Sequence, residues 1–179
     1  MKTYIALLRG INVSGQKKIK MADLKQTLEN SGLQNVKTYI QSGNIVFDSE
    51  ITETDMLQDK IHNAILNDFA FEVPVLVKIS SQLEMILTAN PFADEVEENR
   101  LYFVLLKNPP VQSLVDEFNE VNFVNEDFSI TNACVYLCCK NGYGNAKLNN
   151  NLVERKLKVQ ATTRNLKTMQ KLIEMTKDS

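Results

Sequence analysis

Two glycines bracket a cationic stretch near the start of the chain, Arg9-Gly10-Ile11-Asn12-Val13-Ser14-Gly15-Gln16-Lys17-Lys18-Ile19-Lys20. These residue types suit an anion site, because glycines let backbone N–H groups approach a ligand and lysines at a helix start add positive charge. The spacing Gly10-x-x-x-x-Gly15-Gln16-Lys17 comes near a phosphate-binding P-loop and then departs from it. That motif needs Lys directly after the second glycine, to reach the outer phosphates, and then a hydroxyl to hold Mg²⁺. Here Gln16 and Lys17 occupy those places, which argues against a nucleoside triphosphatase. The competing reading is a solvated loop with its lysines kept out of the core. A second basic turn weighs against that. Between Lys140 and Ile173 eight Lys/Arg stand against the single acid Glu154, and the segment holds Gly142-Tyr143-Gly144, Lys147 and Arg164-Asn165.

Charge is distributed unevenly along the 179 residues. Residues 1–47 carry seven Lys/Arg and two Asp/Glu, residues 48–127 four and 17, and residues 128–179 nine and three, so a net charge of −2 conceals two cationic ends. Other chemistries find less support. Cys134, Cys138 and Cys139 are an odd, crowded set that does not read as a disulfide framework. On a strand, Cys134 and Cys138 would share one face and Cys139 the other, as small buried hydrophobes. With one histidine in the chain, His62, a His/Cys metal site is disfavoured. His62 itself reads as a boundary residue with no nucleophile at a recognisable spacing. The acids from Asp94 to Glu98 read as a solvated linker, since hard-cation loops place ligands on alternate residues around a glycine. Neither a metal nor a cofactor is called for.

Nucleic acid is disfavoured as a partner by a pI near 5.5, by the absence of Trp, and by the lack of clustered aromatics in Ser42-Gly43-Asn44-Ile45-Val46-Phe47. The apolar runs are far shorter than the roughly 18 residues of a membrane span, which excludes a membrane helix. The run Tyr4 to Leu8 is too short for a signal-peptide core, so the expected location is cytoplasmic.

The elements that must position these residues follow from periodicity. Lys2 to Arg9 reads as a strand, and Met21, Leu24 and Leu28 mark a helix ended by Ser31-Gly32. Val36 to Phe47 reads as a hairpin turning at Gln41 to Asn44. Thr52 or Thr54 can cap a helix carrying Leu57, Ile61 and Ile65, followed by a strand over Val73 to Ile79 and a helix from Ser80. Asn90-Pro91-Phe92, running into the acidic stretch, marks a boundary. Beyond it come a strand Leu101 to Lys107, a helix after Pro109-Pro110, two strands within Phe128 to Cys139, a helix through Leu152 and Leu157, a strand Val159 to Thr163 and a final helix. The order βαββαβα thus occurs twice. It predicts an α+β protein of two ferredoxin-like (βαββαβ) halves, 1–92 and 93–179, with an extra helix after each. The second faces of both sheets then need a cover, which the extra helices, the other sheet or a partner could supply.

Several of these segments resemble the bacterial family catalogued as domain of unknown function 1697. The resemblance lies in Tyr4 to Val13, Lys20-Met21-Ala22-Asp23-Leu24 and Thr38 to Phe47. It continues in Asn90-Pro91-Phe92, Lys147-Leu148-Asn149-Asn150 and Ala161-Thr162-Thr163-Arg164-Asn165. It implies two ferredoxin-like halves and no established activity. The chain departs from the family pattern at Ser14, where a glycine is usual, at Ala146, usually a hydroxyl residue, and at Leu166, usually Trp.

The leading expectation is a protein that binds a small anionic or phosphorylated ligand, nucleotides included, in a cleft between its two lobes. Arg9, Lys18, Lys147 and Arg164 would neutralise charge, while Asn12, Gln41, Asn44 and Asn165 would orient the ligand by hydrogen bonds. The alternatives are an interaction or self-association module without catalysis and an enzyme acting on a phosphorylated metabolite.

Overall fold

The computed structural model describes residues 1–177. The first series of elements is β1 (Lys2–Leu8), α1 (Met21–Asn30), β2 (Gln34–Tyr39), β3 (Asn44–Ser49), α2 (Thr54–Phe69), β4 (Val75–Lys78) and α3 (Ser80–Thr88). The second is β5 (Leu101–Leu106), α4 (Gln112–Asn119), β6 (Glu126–Ile130), β7 (Cys134–Cys139), α5 (Asn150–Leu157), β8 (Ala161–Asn165) and α6 (Leu166–Lys177). The chain divides into two compact units, Met1–Glu84 with the segment from Lys171 onward, and Met85–Gln170.

Each unit holds one four-stranded antiparallel sheet, in the order β2-β3-β1-β4 in the first and β6-β7-β5-β8 in the second. In both, the first strand of the series lies between the third and the fourth, which is the ferredoxin-like arrangement. No parallel neighbour flanks β1, so the strand before the glycine loop lacks the parallel crossover partner of a nucleotide-binding P-loop.

The period of two along the strands divides the apolar residues between the faces. Tyr4, Ala6 and Leu8 of β1, Ile45 and Phe47 of β3 and Val75 and Val77 of β4 pack with Leu24 and Leu28 of α1 and Leu57, Ile61 and Ile65 of α2. Burial of each such side chain contributes roughly 2 kcal/mol. Ile5, Leu7, Val46 and Leu76 point to the opposite face and are also buried. In the second unit Val104, Leu106, Val135, Leu137 and Cys139 meet Val115 and Phe118 of α4 and Val153 and Leu157 of α5. On the other face of that sheet Tyr136 packs edge-on against Phe103 and donates its hydroxyl to the Ile86 carbonyl of α3 at 2.9 Å. All three cysteines are free thiols in the interior, with Cys139 on the helix-facing side.

Several element boundaries differ from the sequence reading by one to a few residues, and two of them bear on the capping and strand signals used above. Glu53, and neither Thr52 nor Thr54, holds the capping position of α2 and makes no side-chain cap, while the Thr52 hydroxyl lies 3.5 Å from the Glu53 carboxylate. The last strand begins at Ala161 instead of Val159. Lys158 ends α5 in a left-handed conformation, and Glu154 Oε1 accepts the Ala161 N–H at 2.8 Å, which sets where β8 starts.

The β2–β3 turn is built around one glycine. Gly43 has φ +81°, and its carbonyl accepts the Leu8 N–H at 2.8 Å. A Cβ at this position would lie 2.7 Å from Leu8 Cβ and 2.9 Å from Ile11 Cδ1. Gly10 has a similar φ of +74° but open space around it. Urea denaturation should therefore separate two alanine substitutions that share a backbone penalty. Gly10→Ala is expected to cost about 1 kcal/mol for the left-handed conformation alone, and Gly43→Ala about 3 kcal/mol because overpacking adds to it. Equal losses would contradict the close packing of the turn against β1.

The Cys139 thiol is pushed up from its ordinary value of 9.0 to about 12, first by burial and then by the nearby Glu126 charge and Cys138. Burial also lifts Tyr136 from 10.0 to about 12, with Cys134 adding to it. Both groups keep their protons in the folded chain at pH values where the unfolded chain gives them up. Their contribution to stability is complete below pH 9 and is lost as pH rises toward 12. Cys139→Ala should make the decline that begins near pH 9 in an alkaline series of urea midpoints shallower, leaving the parts that come from Cys138, Tyr102 and Tyr136, whose pKa values are also raised by burial. An unchanged slope would place the alkaline sensitivity elsewhere.

Candidate functional site

Part of the backbone of the glycine loop is bonded within the loop itself. Asn12 adopts φ +55°, accepts the Ile19 N–H at Oδ1 (2.9 Å), and donates Nδ2 to the carbonyls of Ile19 and Gln41, both at 2.9 Å. The Asn12 N–H is given to the Lys17 carbonyl and the Gln16 N–H to that of Val13. Three amides that a phosphate cradle would offer are thus engaged inside the loop. Lys17 lies across it with its ammonium on the Glu72 carbonyl at 2.6 Å, while Lys18 and Lys20 are exposed.

Of the residues expected to bind a ligand, Asn12 and Gln41 meet directly, through the Gln41 carbonyl, and the exposed Gln41 side chain stands outside that bond. Asn44 is fully buried and donates to the Tyr39 carbonyl and the Ser42 hydroxyl, both at 3.0 Å, closing the turn that carries Gly43. Arg9 is half-buried, its backbone N–H on the Pro74 carbonyl. Asn12 and Asn44 therefore act on the architecture of this end of the sheet.

In the second unit, Asn165 caps α6, its Oδ1 accepting the Thr168 N–H at 2.9 Å. Arg164 is buried on the sheet face opposite α4 and α5, opposite Phe103 in the ladder. Its Nη1 donates to the Thr162 hydroxyl at 3.0 Å and the Thr163 carbonyl at 2.8 Å, and burial lowers its pKa to about 10. Lys147 is exposed, in the segment between β7 and α5.

Around Lys147 lies a cleft of about 180 Å³, lined by Val124, Asn125, Glu126, Asn141, Gly142, Asn145 and Lys147. Glu126 is one of its lining residues, and its Oε1 accepts the Lys147 N–H at 2.9 Å and Oε2 the Leu148 N–H at 2.7 Å. One carboxylate thus takes two consecutive amides, the arrangement by which backbone binds an oxyanion. At the adjoining positions Lys140 and Asp127 form an exposed ion pair at 2.9 Å, whose hydrogen bond raises the Lys140 pKa. Such a surface pair contributes little to stability.

The far side of this segment is tied to β8 by a hydroxyl–amide network. The Tyr143 hydroxyl accepts the Asn150 N–H at 2.9 Å and donates to Thr163 Oγ1, which in turn donates to Asn150 Oδ1 at 2.8 Å. Tyr143 stacks on Tyr102 at 4.6 Å, and Asn149 caps α5 through the Leu152 N–H. None of Glu126, Asn145, Tyr143, Asn150 and Thr163 was among the residues expected from sequence to bind a ligand. Asn149-Asn150 ahead of a helix carries a capping signal that points to part of this network. Glu126 carries none, since its bonds reach about twenty residues along the chain.

The remaining candidates have structural settings. His62 is half-buried with Nδ1 3.0 Å from the Val73 carbonyl. In the acidic stretch, Glu95 lies 3.6 Å from Arg100 and accepts the Cys138 thiol at 3.5 Å. Among the described residues no group of three or more His, Cys, Asp or Glu side chains could hold a metal ion, and no helix is long and apolar enough to cross a membrane.

No curated protein matches the chain. Among solved structures, conserved bacterial protein SP0830 from Streptococcus pneumoniae is similar to it, with 25% sequence identity, a TM-score of 0.77, and 99% of each chain covered. The likeness extends over both ferredoxin-like sheets and adds no activity. Residues 1–136 match the family described as protein of unknown function (DUF1697), and with most of its length so matched this chain belongs to that family.

Proposed function

We propose that this protein binds a small anionic ligand, carboxylated or phosphorylated, with Lys147 as its charge partner. The observation that carries the reading is the cleft lined by Lys147 together with Asn125, Asn141 and Asn145, whose one lining acid, Glu126, is engaged by two backbone N–H groups. Lysine supplies the charge and the asparagines supply donors that can be arranged around an oxyanion. Its volume of about 180 Å³ limits the choice of ligand. Pockets for drug-sized ligands run from roughly 300 to 1,000 Å³, so this cleft suits the anionic end of a metabolite better than a whole dinucleotide.

A panel of small phosphorylated and carboxylated metabolites, screened by calorimetry at low salt, tests the reading. Removing a charge-assisted bond from a solvent-facing site should weaken the hits about tenfold in Lys147→Ala. Lys147→Glu should abolish binding, and added salt should weaken the wild type toward the alanine variant. A panel without hits, or hits indifferent to both substitutions, would end the proposal.

A further inference from the structure

The lining of the same cleft carries a second feature, and its interpretation rests on the anion reading above. Consecutive backbone N–H groups converging on one point form a concave donor site for oxyanions. At Lys147 and Leu148 such a pair is already filled, and by a residue of this chain: the two oxygens of Glu126 sit 2.9 and 2.7 Å from the two amide nitrogens. Glu126 opens β6, opposite Cys139 in the ladder, and belongs to the same cleft wall as Lys147. Its carboxylate thus links the cleft lining, through Glu126 and Lys147, to the amide of the buried Leu148 just behind it in the chain.

We infer that the Lys147 and Leu148 amides are an oxyanion subsite and that Glu126 is its internal occupant, a carboxylate that an incoming ligand must displace. The ligand's own carboxylate or phosphate takes the two N–H bonds, and the Lys147 ammonium, on the same residue as one of the amides, neutralises it. The Glu126 side chain then turns to solvent through the open side of the cleft. Glu126 sets the threshold of binding: its local, unimolecular competition lowers the apparent affinity for every oxyanion by a common factor and favours ligands that bring further contacts to Asn125, Asn141 or Asn145.

The test uses the full chain, ¹⁵N-labelled, as wild type, Glu126→Ala, Glu126→Gln and Lys147→Ala, titrated with inorganic phosphate and separately with acetate at low ionic strength. Phosphate, acetate or both should move the Lys147 and Leu148 amide resonances. Freed of a competitor that makes two hydrogen bonds, Glu126→Ala should bind about tenfold more tightly than wild type. Glu126→Gln keeps the side chain's size and one acceptor oxygen but loses the charge, and should tighten binding by less; it reports the sign if the alanine variant fails to fold. Binding that depends on Lys147 but is no tighter in either Glu126 variant, or shifts confined to other amides, would overturn the subsite and leave the anion reading standing. Absence of binding by every variant would overturn both.

Discussion

Every loop that returns this chain to a buried strand carries backbone N–H and C=O groups that must be paired, and the shape of both units depends on how that is done. An unpaired buried group costs about 1–3 kcal/mol, as much as one core side chain contributes. Here side chains take a large share of that work in three of the loops. Asn12 holds the glycine loop by both atoms of its amide, Asn44 closes the β2–β3 turn, and Glu126 gathers the segment before α5. Asn149 and Asn150 then start α5 and tie it to β8.

The residues that close loops are of the same types that bind anions. A side-chain amide donates and accepts, a carboxylate takes amide pairs, and glycine admits a backbone approach. Whether such a group faces a ligand or its own chain depends on a few ångströms. In the glycine loop Asn12 and the amides of Gln16 and Ile19 are bonded to the loop itself. Lys147 faces a cleft, while Arg164 is drawn into the sheet, where the Thr162 hydroxyl and Thr163 carbonyl receive its guanidinium. Burial opposes the charge on Arg164, and these acceptors compensate for part of that cost.

Local pattern carried most of the fold. Alternation in β1 and β7, helical spacing in α1 and α2 and the Ser42-Gly43-Asn44 turn are each governed by contacts within a few residues or by the burial of one face, and such contacts leave a periodic trace. Boundaries were less legible where other groups intervene: the Ala161 N–H at the start of β8 is held by Glu154, and the capping position of α2 falls to Glu53 instead of a threonine. Of the candidate site, Lys147 was legible as a cation at a basic turn. Glu126 was not, because its partners lie about twenty residues away and acquire meaning only when β6 and the segment before α5 are brought side by side.

By itself the sequence determined two βαββαβ series, two basic turns and the failure of the P-loop spacing, because periodicity, composition and spacing are properties of the chain read in order. Tertiary structure alone decided which polar groups are already satisfied. A hydrogen bond is made between positions in space, and nothing in the order of residues distinguishes an asparagine that closes a loop from one that lines a cleft.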